Sequence, residues 1–372
     1  MTASPARPRA REFGVTLGEL PPGPLNAITD VAGVLVGQTT VWWGDGPLRP
    51  GHGPARTGVT VVLPHGGNLF REKVPAAFHV INGFGKSIGG DQITELGTLE
   101  TPIALTSTLS AGRVADALIS HAIGENPDIG IATSTVNPVV GECNDGFLND
   151  IQGRHITEGD VFAAIDDASS GPVTEGAVGA GTGMRSYGFK AGIGTASRLT
   201  PPELGGWTVG VLVLANFGAR GQLVIDGVQV GRALAADDAR AEPEQGSIIT
   251  VVATDAPLLD RGLRRLARRV ALGLARTGST GGHGSGEVAI AFSTAPGLRV
   301  PHEPATPLLH REILADDDRG DHPGQIDALF QAVVEATEEA VLNSLFRAET
   351  VTGRDGHTAH ALPLDRVRAL LG

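Results

Sequence analysis

Short apolar strand-like runs and helical stretches follow one another along this chain without a regular βαβ rhythm. That irregularity argues against a doubly wound parallel sheet and for a layered sandwich of sheets and helices. The strand-like runs are GVTVVLP (58–64), TPIALTST (101–108), WTVGVLVLANFG (207–218), the run after Gly246, and EVAIAFST (287–294). ITDVAGVLVGQTTVWW (28–43) reads as strand, turn, strand. Helical spacing marks 109–123, a short stretch after Asp226, 258–276 and 325–347. The clearest helix is 258–276, where Leu259, Leu263, Leu266, Val270 and Leu274 share one face and arginines occupy the other. The 325–347 segment reads as an acidic amphipathic helix, and the Pro- and Arg-rich residues 1–27 as an arm. Glycine accounts for 53 of the 372 residues, concentrated in 171–195 without a collagen period. Such a chain needs many turns, or backbone lying close to backbone or ligand.

Twenty-nine basic against 41 acidic residues give a formal net charge of −12, which excludes nucleic acid and anionic membrane as expected partners. A single cysteine, Cys143, rules out an intrachain disulfide framework. The Arg-bearing N-terminus lacks the apolar core of a secretory signal, and no apolar run approaches the ~18 residues of a membrane span. The expected location is the cytoplasm.

Most standard motifs fail. Gly85-Lys86-Ser87 looks like the end of a P-loop, but Val80 stands where its first glycine belongs. Ser285, in HGSGE, misses the nucleophile elbow because His283 replaces the leading glycine. His357 and His360 have loose metal spacing in a polar loop, and Arg319-Gly320-Asp321 reads as a solvated turn. No metal and no cofactor is expected.

One junction stands apart. The acidic linker AADDARAEPEQ (235–245) runs into the apolar strand IITVVAT through Gly246-Ser247. The junction reads either as an ordinary loop-to-strand turn or as a self-cleaving bond. In the second case the Ser247 hydroxyl attacks the preceding carbonyl, the ester hydrolyses, and Ser247 becomes a new N-terminus. Such a residue carries nucleophile and base together, since a free α-amine titrates near ~7.7–8.0. Other Gly-Ser and Gly-Thr pairs occur here, but only this one joins an exposed linker to an apolar strand.

Several segments together resemble the DmpA/BapA family, the L-aminopeptidase/D-esterase and β-peptidyl aminopeptidase group. They are ITDVAGVLVGQTT, STVNPVVGECNDGFLNDIQGR (134–154), EGAVGAGTGM (175–184), FKAGIGTASR (189–198), VGVLVLANFG (209–218), GSIITVVATDAPL (246–258) and GGHGSGEVAIAFST (281–294). The likeness spans nearly the whole chain in order. It implies a four-layer αββα sandwich of α/β class, of the kind shared with ornithine acetyltransferase. It also implies cleavage into subunits 1–246 and 247–372 that form one folded domain, and a homotetramer of cleaved heterodimers. The implied activity is release of N-terminal amino acids from peptides, amides or esters through an acyl-enzyme, with no cofactor. An acyltransferase of the ornithine acetyltransferase type, or an unprocessed non-catalytic binding protein, are the alternatives.

Residue by residue, the resemblance implies Ser247 as nucleophile, Asn216 as oxyanion donor, and Ser285 with Glu287 as the pair near the free amine. Lys190 resembles a lysine that related nylon-oligomer hydrolases place near the site. Glu142 and Asp145 stand ready either to bind the substrate ammonium or to cap turns. Where Phe147 stands some members carry Tyr, and Phe cannot donate the hydrogen bond that a Tyr hydroxyl gives.

Overall fold

The computed structural model describes residues 7–235, 245–315 and 324–372. The expected linker and the Arg319-Gly320-Asp321 turn lie outside the described residues, apart from the linker's two ends.

Two sheets face each other. The smaller contains β1 (Leu35–Trp43), β2 (Ala55–Leu63), β4 (Ile103–Ser107) and β5 (Val139–Cys143), in that order. The larger is built on β3 (Glu72–Gly83), β6 (Ile193–Leu199), β7 (Thr208–Asn216), β8 (Gln245–Thr254) and β9 (Gly284–Ser293), in the order β3-β9-β8-β7-β6. Two-residue edge pieces, Thr98–Leu99 and Val300–Pro301, pair with the start of β3. Most neighbours are antiparallel, but β4 runs parallel to β5 and β8 parallel to β9. Each parallel pair is bridged in sequence by a helix: α1 (Ala111–Glu125) and α3 (Asp260–Arg276), respectively.

Three apolar layers hold this together. Val62, Leu105 and Cys143 of the small sheet meet Leu214, Ile249, Val251 and Ile290 of the large one. On the outer face of the small sheet, Val59, Val61 and Val140 pack on Val114 and Leu118 of α1 and Val161 of α2 (Glu158–Asp166). On the outer face of the large sheet, Val211, Val213 and Ile248 pack on Leu266 and Val270 of α3 and on Val333 and Ala340 of α4 (Gln325–Phe346). The order is helix, sheet, sheet, helix, the αββα sandwich that the resemblance implied. The central strands are covered on both faces, so they carry unbroken apolar runs and not an alternating pattern.

Three expectations need correcting. Residues 28–30 form a 3-10 turn and not a strand, because the Asp30 carboxylate accepts from the Leu25 and Ala27 amides and the Ser197 hydroxyl and so holds the chain bent. The α4 helix is covered nearly all round and is not amphipathic against solvent. Its Glu335 and Glu339 are buried against Arg198 at 3.1 and 2.7 Å, and Glu339 also pairs with Arg11 at 2.8 Å. Residues 7–27 are accordingly docked on the body and do not project from it. Arg9 donates to the Leu25, Asn26 and Thr195 carbonyls and pairs with Glu175 at 2.8 Å.

Candidate active site

Register builds the site. Asn216, the last residue of β7, lies opposite Ser247 in β8, and Ser247 lies opposite Gly286 in β9. Three neighbouring strands thus bring residues 31 and 39 positions from Ser247 into one row. Ser247 is buried, and its Oγ accepts from the Gly286 N–H at 3.3 Å and donates to the Gly246 carbonyl oxygen at 2.8 Å.

The backbone leaves room for nothing larger at 246. Gly246 has φ +133°, outside the region L side chains favour, and a Cβ there would stand 1.8 Å from the Asn216 carbonyl oxygen. Gly286 is similarly confined: its Cβ would stand 2.7 Å from the Phe84 carbonyl oxygen, in the loop that covers the start of β9.

The Asn216 carboxamide is fixed at both ends. Its Oδ1 accepts from the Arg185 N–H at 3.0 Å, and its Nδ2 donates to the Asn144 carbonyl at 3.1 Å. One Nδ2 hydrogen therefore remains for another acceptor. Ser285 and Glu287, two apart on β9, are buried on one side of the strand, and the Ser285 hydroxyl donates to Glu287 Oε1 at 3.1 Å. Sequence reasoning missed Asn82, whose Nδ2 donates to the Gly282 and Ser285 carbonyls and holds the loop that carries Ser285. Its only signal is an Asn-Gly pair ending a strand, which reads as a turn.

The supporting residues divide. Glu142 is buried beside the site: Oε1 accepts from the Lys86 N–H at 2.7 Å, and Oε2 accepts from the Thr108 hydroxyl. Asp145, the next acid along, is wholly buried, and its Oδ1 accepts from Ser107 at 2.8 Å and Asn149 at 3.1 Å, while burial pushes its carboxyl upward. It anchors the NDGF loop. Cys143 donates weakly to the Ser247 and Leu214 carbonyls at 3.3 and 3.5 Å, and burial raises its thiol well above the usual range. Lys190 is fully buried; its ammonium donates to the Gly181, Met184 and Ala191 carbonyls at 2.9, 2.8 and 2.5 Å, and burial pulls its pKa well down. It ties the ends of the hairpin in which Arg185 pairs with Lys190. Phe147 stacks on His357, with ring centroids 4.7 Å apart, and carries the Arg185 guanidinium 3.7 Å from its own centroid. Among the described residues no group of three or more His, Cys, Asp or Glu is placed to hold a metal ion, and no helix is long and apolar enough to cross a membrane.

A buried serine at the start of a strand, a carboxamide opposite it, and a hydroxyl–carboxylate pair on the next strand are a set of groups whose chemistry suits acyl transfer at a serine. Comparison with known proteins identifies relatives along nearly the whole chain. The model of Peptidase family S58 matches residues 26–359. A beta-peptidyl aminopeptidase BapA from Sphingosinicella xenopeptidilytica is 44% identical over 382 residues, covering 100% of this chain and 92% of that protein. Among solved structures, a Burkholderia sp. beta-aminopeptidase superposes with TM-score 0.88 at 39% identity. The L-aminopeptidase D-Ala-esterase/amidase of Ochrobactrum anthropi, described as a variant of the Ntn hydrolase fold, superposes with TM-score 0.87 at 40% identity. Each structural match covers 98% of both chains. The acyltransferase and non-catalytic alternatives gain no support from these likenesses. The chain belongs to peptidase family S58, and it is a serine-type aminopeptidase with the N-terminal-nucleophile hydrolase fold.

Proposed function

We propose that the chain is a precursor that cuts itself between Gly246 and Ser247, and that the new N-terminal serine releases N-terminal residues from small peptides, amides or esters. The observation that carries this reading is the Ser247 hydroxyl, 2.8 Å from the Gly246 carbonyl oxygen and in register with Asn216. In processing, Ser247 Oγ adds to the Gly246 carbonyl carbon, the C–N bond breaks, and the proton passes to the Ser247 nitrogen. Water then hydrolyses the ester, leaving a Gly246 carboxylate and a free Ser247 amine. The products are subunits 1–246 and 247–372, which remain one folded unit because Val209–Asn216 of β7 pair with Ser247–Thr254 of β8.

In turnover the amine takes the hydroxyl proton and Ser247 Oγ attacks the substrate carbonyl. The spare Nδ2 hydrogen of Asn216 meets the developing oxyanion, a donor worth about 2.7–4 kcal/mol of barrier. The proton is passed to the leaving amine, and water releases the acyl group. Ser285 hydrogen-bonds the Ser247 amine, and Glu287 holds it through Ser285. Glu142, buried near Gly286, receives the substrate ammonium. Asp145 and Lys190 support the loops on either side of Asn216. The active form is a homotetramer of cleaved pairs, working in the cytoplasm without metal or cofactor.

A panel of p-nitroanilides of L-Ala, D-Ala and β-Ala tests the reading. Processed wild type turns over at least one, and Ser247→Ala stays uncut and inert. Hydrolysis retained by Ser247→Ala would remove Ser247 from the nucleophile's role.

A further inference from the structure

One peptide group joins Asn82 to Ser247. The carbonyl of the Ser285–Gly286 peptide accepts from Asn82 Nδ2 at 2.5 Å, and the N–H of the same peptide donates to Ser247 Oγ at 3.3 Å. Asn82 Nδ2 also donates to the Gly282 carbonyl at 2.8 Å. That carbonyl accepts from the Ser285 N–H at 2.9 Å as well, which closes the turn into β9. Both amide hydrogens of Asn82 are thus committed to the turn that delivers Ser285.

An irregularity in strand pairing puts Asn82 there. Val288 lies opposite Val80 and Glu287 opposite Asn82, so Ile81 is an extra residue in β3, a β-bulge. Bulges re-aim side chains and are common beside active sites. Past the bulge, Gly83 lies opposite Gly286, and a Cβ on Gly286 would stand 2.7 Å from the Phe84 carbonyl oxygen. The Ser285–Gly286 peptide is therefore gripped from the β3 side and presents its N–H to β8.

A peptide group is planar and turns as one rigid unit. A hydrogen bond accepted at its oxygen fixes the direction of its N–H, and bonds in such a chain strengthen one another. The same grip fixes Ser285, whose hydroxyl donates to Glu287 at 3.1 Å.

We infer that Asn82 is a positioning residue for Ser247, acting through the Ser285–Gly286 peptide in both self-cleavage and turnover. The inference rests on the reading of Ser247 as nucleophile. The experiment compares wild type with Asn82→Ala and with Asn82→Asp, which keeps the size of the side chain and removes its donors. Three quantities are read: the rate at which the full-length band disappears, kcat and KM on a p-nitroanilide that wild type turns over, and the rate of acylation by phenylmethylsulfonyl fluoride, a probe without an ammonium group. Processing, kcat and acylation should each fall by about tenfold, the scale of one hydrogen bond, with KM within about twofold of wild type. A folded variant that no longer matures is the same result carried to its limit. Rates within twofold of wild type overturn the inference. So does a loss confined to KM with acylation unchanged, which would place Asn82 in substrate binding, and so does unfolding of both variants, which would make it a structural residue alone. Hydrolysis retained by Ser247→Ala would instead overturn the nucleophile reading and take this inference with it.

Discussion

The Asn216 carbonyl oxygen lies 1.8 Å from the point that a Cβ on residue 246 would occupy. Residue 246, which precedes the proposed nucleophile, is therefore pressed against the strand that carries Asn216, the proposed oxyanion donor. Gly246→Ala adds an atom where the backbone cannot yield without moving Asn216. The variant should process at least tenfold more slowly than wild type, or not at all, as followed by the loss of the full-length band on a denaturing gel. Processing at the wild-type rate would show that the backbone at 246 is not part of the device.

Asn216→Ala removes the carboxamide and leaves the Arg185 N–H and the Asn144 carbonyl without their partner. Loss of one oxyanion donor costs about 10²–10³ in kcat. The expected result is a fall of that size in kcat on processed material, with a smaller change in KM. A variant within threefold of wild type would take Asn216 out of the chemistry.

On the proposed reading Lys190, whose ammonium donates to three backbone carbonyls, acts through the hairpin and not at the reacting atoms. Lys190→Met withdraws three donations from buried carbonyls, and an unsatisfied buried group costs about 1–3 kcal/mol, so the Tm should fall by several degrees. Because the hairpin supplies the Arg185 N–H to Asn216, kcat should fall as well. In an Asn216→Ala background the same substitution should lower the Tm and leave the residual kcat nearly unchanged. Additive losses in kcat would mean that Lys190 works independently of Asn216.

How much of this was legible in the sequence differs by element. The runs at 207–218 and 247–253 declared themselves as strands because both faces are covered. The α3 helix declared itself through its five apolar positions, of which four fall inside it as it folds. The strand β3 went unread because its EKVPAAFHVING run mixes Pro, His and Lys with short apolar pieces, and its burial comes from β9 and α3, far along the chain. The acidic face of α4 looked solvated because nothing local reveals that Arg11 and Arg198 arrive to pair with it. At the site, the Gly-Ser junction could be singled out from its flanks. The partnership of Asn216 with Ser247 could not, because it exists only as strand register; the resemblance to a family supplied it.

Burial, opposed by the Arg9 charge, pushes the Glu175 carboxyl up from 4.5 to about 7. A carboxyl raised in this way binds its proton more tightly folded than unfolded. Its contribution to stability is complete below pH 4.5 and is lost as the pH rises toward about 7. Glu175→Gln keeps the shape without the charge and should flatten that part of the stability–pH curve, measured by urea unfolding at several pH values. An unchanged slope would assign the pH dependence elsewhere.

The most direct test is the mass of protein that is actively turning over substrate. Mass spectrometry of such material should return two polypeptides, residues 1–246 and 247–372, with N-terminal sequencing of the smaller reading Ser-Ile-Ile-Thr-Val. A single full-length mass from fully active enzyme would contradict the account.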